Sequence, residues 1–132
     1  MKTTVSARNQ ALLGAAREAR EFAYAPYSNF KVGAALRAKN GDVYTGCNVE
    51  NASYALSICA ERVAVFNAIA HGNLKFTELA IVVDARRLAT PCGACRQVLA
   101  EFADDLVIVL GNLKGTVKRY RLAQLFPSPF RL

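Results

Sequence analysis

The sequence predicts an α/β fold, a three-layer α/β/α sandwich with a mixed five-stranded sheet. Segments with apolar residues at helical spacing alternate with short apolar runs typical of strands. A turn at Asn40-Gly41-Asp42 joins the first two predicted strands into an antiparallel hairpin. Strand-helix-strand crossovers are expected to make the later strands parallel, and residues 112–115 are predicted to form a turn before the last strand. The length of 132 residues is that of one domain, so we expect residues 1–132 to form a single unit.

The first predicted helix covers residues 6–23, with Ser6 as its N-cap and Pro26 as the residue that stops it. Its apolar positions are Ala11, Leu12, Ala15, Ala19 and Phe22. The first strand of the hairpin, residues 31–38, contains the small residues Gly33-Ala34-Ala35. Their size indicates that another element packs closely against this strand.

The remaining elements follow from apolar runs and from residues that begin or end helices. The run at residues 79–83 is continuous, as in a central strand buried on both faces. His71-Gly72 suits a helix C-terminus, and we expect Thr90 to cap the third helix with Pro91 in its first turn. In chain order, the predicted elements are a strand at 43–49, a helix at 59–70, a strand at 78–84, a helix at 91–102, strands at 106–110 and 116–120, and a helical turn at 122–126.

Two short segments, Cys59-Ala60-Glu61 and Pro91-Cys92-Gly93-Ala94-Cys95, combine three thiols with one carboxylate. Thiolates are soft ligands, and a zinc ion held by three protein ligands keeps a fourth position open. We therefore interpret Cys59, Cys92 and Cys95 as zinc ligands and Glu61 as a proton shuttle beside the open position. Because Cys59 and Glu61 are two residues apart, they can serve one ion only from the N-terminal end of their helix.

Other interpretations of these cysteines are open on the residues alone. A Cys-x-x-Cys pair could be a redox pair, and a buried cysteine is often only a small apolar residue. A structural site with Cys47 as a fourth thiolate would be closed and would leave Glu61 without a purpose. We hypothesise that Arg62 donates to a ligand thiolate, such as that of Cys59 or Cys92, and offsets the negative charge; the alternative is a surface salt bridge.

The composition excludes several classes of protein. With 53% hydrophobic and 20% charged residues, a compact fold is favoured over disorder. The net charge of +7 is scattered, apart from Lys118-Arg119-Tyr120-Arg121, and favours a solvated surface over a nucleic-acid partner. No apolar run approaches membrane-spanning length, and residues 1–4 have no signal-peptide core. We expect a cytoplasmic location, where thiols stay reduced, and no membrane partner.

Several stretches, lying in order along nearly the whole chain, resemble the small homotetrameric zinc-dependent cytidine deaminases. The matching stretches are Tyr27-Ser28-Asn29-Phe30 with Val32-Gly33-Ala34-Ala35, Gly46-Cys47-Asn48-Val49-Glu50-Asn51-Ala52-Ser53-Tyr54, Cys59-Ala60-Glu61-Arg62, and Pro91-Cys92-Gly93-Ala94-Cys95-Arg96-Gln97. The metal segments match the general signature of zinc deaminases. The stretch from Asn48 to Tyr54 narrows the resemblance to enzymes of free nucleosides.

The resemblance implies a cytidine deaminase-like fold and a hydrolase acting on the C–N bond of a cyclic amidine. The expected reaction converts cytidine and 2′-deoxycytidine to uridine and 2′-deoxyuridine, with release of ammonia, in pyrimidine salvage. One Zn²⁺ per subunit would be bound by the three cysteines, and Glu61 would donate and accept protons. Two alternatives are a deaminase of a cytosine nucleoside antibiotic and a structural zinc module that binds nucleic acid.

The resemblance also implies roles for residues around the substrate. Asn48 and Glu50 would hold the ribose hydroxyls, and Phe30 would lie against the pyrimidine. The backbone amide of Ala60, together with Glu61, would read the edge of the base. Tyr54 and Phe130 resemble residues that the subunits of such homotetramers lend to a neighbouring subunit's site.

Overall fold

The computed structural model describes residues 5–132, which form a five-stranded mixed sheet with helices on both faces. The predicted three-layer architecture is therefore confirmed. The first four residues, which enter the expectation about targeting, lie outside the described range. The elements are α1 (Ala7–Arg20), β1 (Val32–Ala38), β2 (Val43–Cys47), α2 (Ala60–Ala70), β3 (Phe76–Val83), α3 (Gly93–Phe102), β4 (Val107–Asn112), β5 (Val117–Arg121) and α4 (Leu122–Leu125), with a single 3₁₀ turn at Tyr54–Leu56.

The strands lie in the order β2-β1-β3-β4-β5. Strands β3 and β4 are parallel, as expected for a connection through α3, whereas β1 pairs antiparallel with both β2 and β3. The expectation that the later strands are parallel is wrong for β5, which pairs antiparallel with β4. The reason is the tight turn after Asn112, where Gly115 takes a φ of 89° and returns the chain directly.

Two apolar layers hold the helices on the sheet. On one face, Leu12, Leu13 and Ala16 of α1 pack against Ala80 and Val109 among other residues of the sheet. On the opposite face, α2 and α3 pack against the alternate residues of the same strands. That second layer contains Ala34, Leu36, Ala64, Val65, Leu79, Leu99 and Ile108. Both helices that carry the predicted metal segments therefore lie on one face, where their N-termini can meet.

Helix α1 differs from its prediction in length and in its buried face. Ser6 is its N-cap, as expected, and accepts a hydrogen bond from Asn9 N at 3.1 Å. The helix ends at Arg20 rather than at residue 23, because Tyr24 N donates to Asn48 O beyond the end of β2. Phe22, predicted to face inward, is 82% exposed. A tertiary hydrogen bond thus ends the helix earlier than its pattern of apolar residues predicts.

Two glycines let helices approach the hairpin closely. A Cβ at Gly33 would lie 1.9 Å from Ala16 O of α1, and one at Gly46 would lie 2.4 Å from Ala64 N of α2. The close approach expected over the first strand is therefore found, and it occurs on the second strand as well. Because α2 is pressed onto β2 through its small residues, its larger Phe66 points away and is 49% exposed.

Within residues 5–132, no helix is both long and apolar enough to cross a membrane.

Candidate active site

Both helices of the second layer begin at a cysteine. Cys59 is the N-cap of α2, and Cys92 is the N-cap of α3. The expectation that Thr90 caps α3 is wrong: the sulfur of Cys92 accepts from Cys95 N at 3.4 Å, and Thr90 and Pro91 precede the helix. The spacing argument for Cys59 and Glu61 is met, since both residues lie at the N-terminal end of one helix.

The three sulfur atoms lie within 4.8 Å of one another. The Sγ atoms of Cys59 and Cys92 are 3.9 Å apart, and those of Cys92 and Cys95 are 3.4 Å apart. Tetrahedral zinc with Zn–S bonds of about 2.3 Å places its sulfur ligands about 3.8 Å from each other. The cluster therefore fits a zinc ion with three thiolate ligands, and in the described part of the chain Cys47 does not belong to it.

The surroundings of the cluster favour thiolate on Cys59. The pKa of Cys59 is lowered to about 5, mainly because the thiol of Cys95 donates a hydrogen bond to it and also because Arg62 does. The same shared proton raises the pKa of Cys95 well above its ordinary range. The N-termini of α2 and α3 add partial positive charge at the same place. These features favour the deprotonated sulfur that a metal ion requires.

Glu61 is the second residue of α2, and it is only 6% exposed. Burial raises its pKa to about 7, with the nearby charge of Cys59 acting in the same direction. A carboxyl group with this pKa is populated in both protonation states at neutral pH. It can therefore both accept and donate a proton, which is the chemistry that a proton shuttle needs.

Arg62 lies against the cluster. Its Nη2 donates to the sulfur of Cys59 at 3.6 Å, and this hydrogen bond raises the pKa of the guanidinium. Its Nε is buried and has no hydrogen-bond partner among the described residues. The contact matches the one hypothesised from the sequence, and it brings one positive charge to a site that would hold three negative sulfurs.

A cavity of about 290 Å³ opens directly above the cluster. We call the part of its lining at the N-termini of α2 and α3 the metal end, formed by Cys59, Ala60, Glu61 and Cys92. We call the part from the loop before β1 and the segment after β2 the far end, formed by Phe30, Asn48 and Glu50. The remaining lining residues are Ser28, Val32, Ser57, Ile58, Ile81, Ala89 and Thr90. The structure thus brings to one cavity two of the three predicted metal ligands, the predicted acid and the predicted substrate residues other than Tyr54 and Phe130.

The polar residues at the far end hold a loop. Asn48 accepts from Val32 N at 2.8 Å and donates to Phe30 O at 2.8 Å. Glu50 accepts from Tyr27 N at 2.9 Å and from the amide and the hydroxyl of Ser28. These hydrogen bonds lower the pKa of Glu50, and the bond from the Ser28 hydroxyl has the largest effect. Glu50 is therefore an ionised acceptor at neutral pH.

Ser28 was not singled out by the sequence reasoning, although it lines the cavity. The sequence signals available for Ser28 are its place in the stretch Tyr27-Ser28-Asn29-Phe30, which carries the resemblance, and its position two residues before the predicted wall aromatic Phe30. Ile58 and Ala89 line the cavity as well, and no pattern in the sequence distinguishes them from other apolar residues.

Tyr54 and Phe130 are apart from this cavity. They are 75% and 70% exposed, and neither lines it. The ring of Tyr54 meets the ring of Tyr27 edge-on, with centroids 5.9 Å apart. The backbone of Phe130 is held by Gln97, which donates to its carbonyl at 2.9 Å and accepts from its amide at 3.0 Å.

Comparisons with known proteins agree with this geometry. Residues 6–111 match the family model of the cytidine and deoxycytidylate deaminase zinc-binding region. The cytidine deaminase of Sporosarcina psychrophila is 48% identical over 120 residues, which are 90% of this chain and 88% of that protein. The crystal structure of cytidine deaminase from Burkholderia pseudomallei superposes with a TM-score of 0.88 at 51% identity, covering 92% of this chain and 98% of that one. A blasticidin-S deaminase from Bacillus cereus is 27% identical over 107 residues, 75% of this chain and 76% of that protein.

Proposed function

From the premise that this chain belongs to the cytidine and deoxycytidylate deaminase family, we propose that it deaminates cytidine and 2′-deoxycytidine. The products would be uridine or 2′-deoxyuridine and ammonia, as in pyrimidine salvage. One observation carries the proposal: three thiols and a buried carboxyl lie at the meeting point of two helix N-termini, at one end of a cavity whose other end is polar.

Cys59, Cys92 and Cys95 would hold one zinc ion. When bound, the ion supplies Lewis acidity that makes a nucleophile of water near neutral pH. Three thiolate ligands donate negative charge to the ion and so reduce its Lewis acidity. Arg62 would restore part of this acidity, because its hydrogen bond draws charge from the sulfur of Cys59.

Glu61 would move the protons. The carboxylate accepts a proton from the attacking water and passes it to N3 of the pyrimidine, which makes C4 electrophilic. After the oxygen has bonded to C4, Glu61 carries the second proton to the amino group. The C4–N bond then breaks and ammonia leaves, so one water is consumed for each ammonia released. A pKa of about 7 suits both directions of transfer.

The opposite end of the cavity would bind the nucleoside. Phe30 would lie against the pyrimidine, while Asn48 and Glu50 hold the ribose hydroxyls. The amide of Ala60 would read the base edge together with Glu61. Binding energy from the sugar would place C4 beside the open metal position, since energy from remote parts of a substrate can serve to orient its reacting atom.

We also propose that the chain is a homotetramer with sites shared between its subunits. Tyr54 and Phe130 are exposed and do not line the cavity of their own chain. This supports the proposal that they line the cavity of a neighbouring subunit. Large exposed apolar side chains such as Phe22 and Phe66 suit a subunit interface. A cytoplasmic location is proposed because the cluster needs reduced thiols. Light scattering coupled to gel filtration tests the assembly.

The test of the function follows ultraviolet absorbance after cytidine is added to purified, zinc-loaded protein. We expect conversion of cytidine with one ammonia per nucleoside, loss of turnover on zinc chelation and recovery when zinc is returned. Cytosine without a sugar should be a much poorer substrate than cytidine. A zinc-loaded protein that releases no ammonia from cytidine would contradict the proposal. Blasticidin S is the control substrate for an antibiotic deaminase, and salt-dependent RNA binding without turnover would indicate a structural module.

A further inference from the structure

The loop that carries Phe30 is fastened to the segment that follows β2. Tyr24 N donates to Asn48 O at 3.0 Å, and Glu50 N donates to Tyr24 O at 2.8 Å. Asn29 takes a φ of 57°, the left-handed conformation that an asparagine tolerates better than most residues. This turn brings the chain back so that Phe30 reaches the cavity.

Within this loop, one hydroxyl connects two walls of the cavity. Ser28 Oγ donates to Glu50 Oε2 and accepts from Phe30 N at 3.0 Å. The other carboxylate oxygen, Oε1, accepts from Tyr27 N and from Ser28 N at 2.9 and 3.1 Å. Two amides therefore occupy Oε1, whereas among residues 5–132 Oε2 accepts only from the Ser28 hydroxyl and keeps room for a further donor. Hydrogen bonds in such a chain strengthen one another.

Resting on the proposed function, we infer that Ser28 is a positioning residue that couples the sugar carboxylate of Glu50 to the ring wall at Phe30. The hydroxyl fixes the side of Oε2 that receives a substrate hydroxyl. It also fixes the backbone amide of Phe30, and with it the position of the Phe30 ring in the cavity wall. Sugar and base contacts then depend on one side chain, and removing its hydroxyl weakens both.

The rest of the loop does not depend on Ser28. Asn48 holds Phe30 O and Val32 N from the other side, and the backbone bonds to Tyr24 are independent of the hydroxyl. Ser28 is itself exposed to solvent. Ser28→Ala should therefore fold and bind zinc, and Ser28→Thr keeps the hydroxyl as a matched control.

The kinetic test is a double-mutant cycle with Ser28→Ala, Glu50→Gln and the double variant, all zinc-loaded and assayed with cytidine. We expect Ser28→Ala to lower kcat/KM about tenfold, mostly through KM, and Ser28→Thr to recover most of that loss. If Ser28 acts through Glu50, adding Ser28→Ala to Glu50→Gln costs less than about a further threefold. A loss in the double variant equal to the product of the two single losses would overturn the coupling, as would an unchanged KM in Ser28→Ala.

A second measurement does not need turnover. Amide hydrogen exchange at Phe30 should be at least about tenfold faster in Ser28→Ala than in the parent and near the parent rate in Ser28→Thr, because in the described part of the chain the Ser28 hydroxyl is the acceptor of this amide. Unchanged exchange at Phe30 would overturn the inference. Should the parent protein prove inactive on cytidine, the proposed function fails, and exchange at Phe30 alone then decides the role of Ser28.

Discussion

The two ends of the cavity are built in different ways. At the metal end, Cys59 and Cys92 are the N-cap residues of two helices. Glu61 and Cys95 are buried there, with exposed fractions of 6% and 0% respectively. At the sugar end, Phe30 and its neighbours belong to loops, and most of their hydrogen bonds join a side chain to an exposed backbone. The metal end is therefore held by the packed helices, whereas the proposed nucleoside contacts depend on a few polar side chains.

The two ends should therefore tolerate different kinds of substitution. The N-terminus of α2 is pressed against β2, where a Cβ at Gly46 would lie 2.6 Å from Ala60 O. Such packing keeps ligand sulfurs at fixed separations, which a metal site needs. Loops held by individual hydrogen bonds can shift without unfolding the domain, so changes there should alter substrate binding before they alter stability. Four substitutions test this contrast.

The largest effect is expected from Cys92→Ala. Removing one of the three sulfurs of the cluster should reduce zinc content far below one per chain and reduce deamination below detection. Cys47→Ser is the matched control, because Cys47 lies outside the cluster and should leave zinc content unchanged. Atomic absorption and ammonia release measure both outcomes. A zinc-free Cys47→Ser variant would revive the closed, four-thiolate site.

Glu61→Gln comes next, because it keeps the shape of the side chain and removes its proton chemistry. We expect full zinc content and a loss in kcat of about 10²- to 10⁴-fold, the usual contribution of a general acid–base group. Zinc analysis combined with single-turnover kinetics on cytidine measures the change. A loss of less than about tenfold would mean that another group moves the protons.

At the sugar end, Asn48→Ala should act mainly on KM. The substitution frees Phe30 O and Val32 N, so we expect KM to rise by about tenfold or more, zinc content to stay at one, and stability to fall by about 1 kcal/mol. Asn40→Ala is the control, since Asn40 makes a similar bond to Asp42 N in the distant hairpin turn. Steady-state kinetics and thermal melting compare the two variants. Loss of zinc from Asn48→Ala would show that the two ends are not separate.

The smallest effect is expected from Arg62→Gln. Losing the donor to Cys59 should lower kcat about tenfold while zinc remains bound, because groups around metal ligands usually tune a site rather than form it. Arg62→Lys keeps the positive charge and should lose less. Measuring kcat and zinc content of both variants tests this prediction. If Arg62→Gln has the same kinetics as the parent, Arg62 has no role in the mechanism.

The contrast between the two ends also explains how much the sequence could predict. The cysteines, Glu61 and their helices were predictable, because ligand chemistry and the two-residue spacing depend on neighbours in the chain. Thr90 was a reasonable cap by residue type, but the sulfur of Cys92 accepts the bond instead. The end of α1 was missed because the bond from Tyr24 to Asn48 spans distant parts of the chain.

The order of helices and strands, the identity of the sulfur ligands and the acid beside them were determined by the sequence itself, since each follows from local periodicity or from the chemistry of a side chain. The tertiary structure alone brings the Sγ atoms of Cys59 and Cys92, which are 33 residues apart in the chain, to within 3.9 Å of each other. It also decided that Ser28 joins Glu50 to Phe30, and that Tyr54 and Phe130 lie outside their own cavity. Such contacts result from the packing of two helices on one sheet face and from the docking of two loops, which no local pattern encodes.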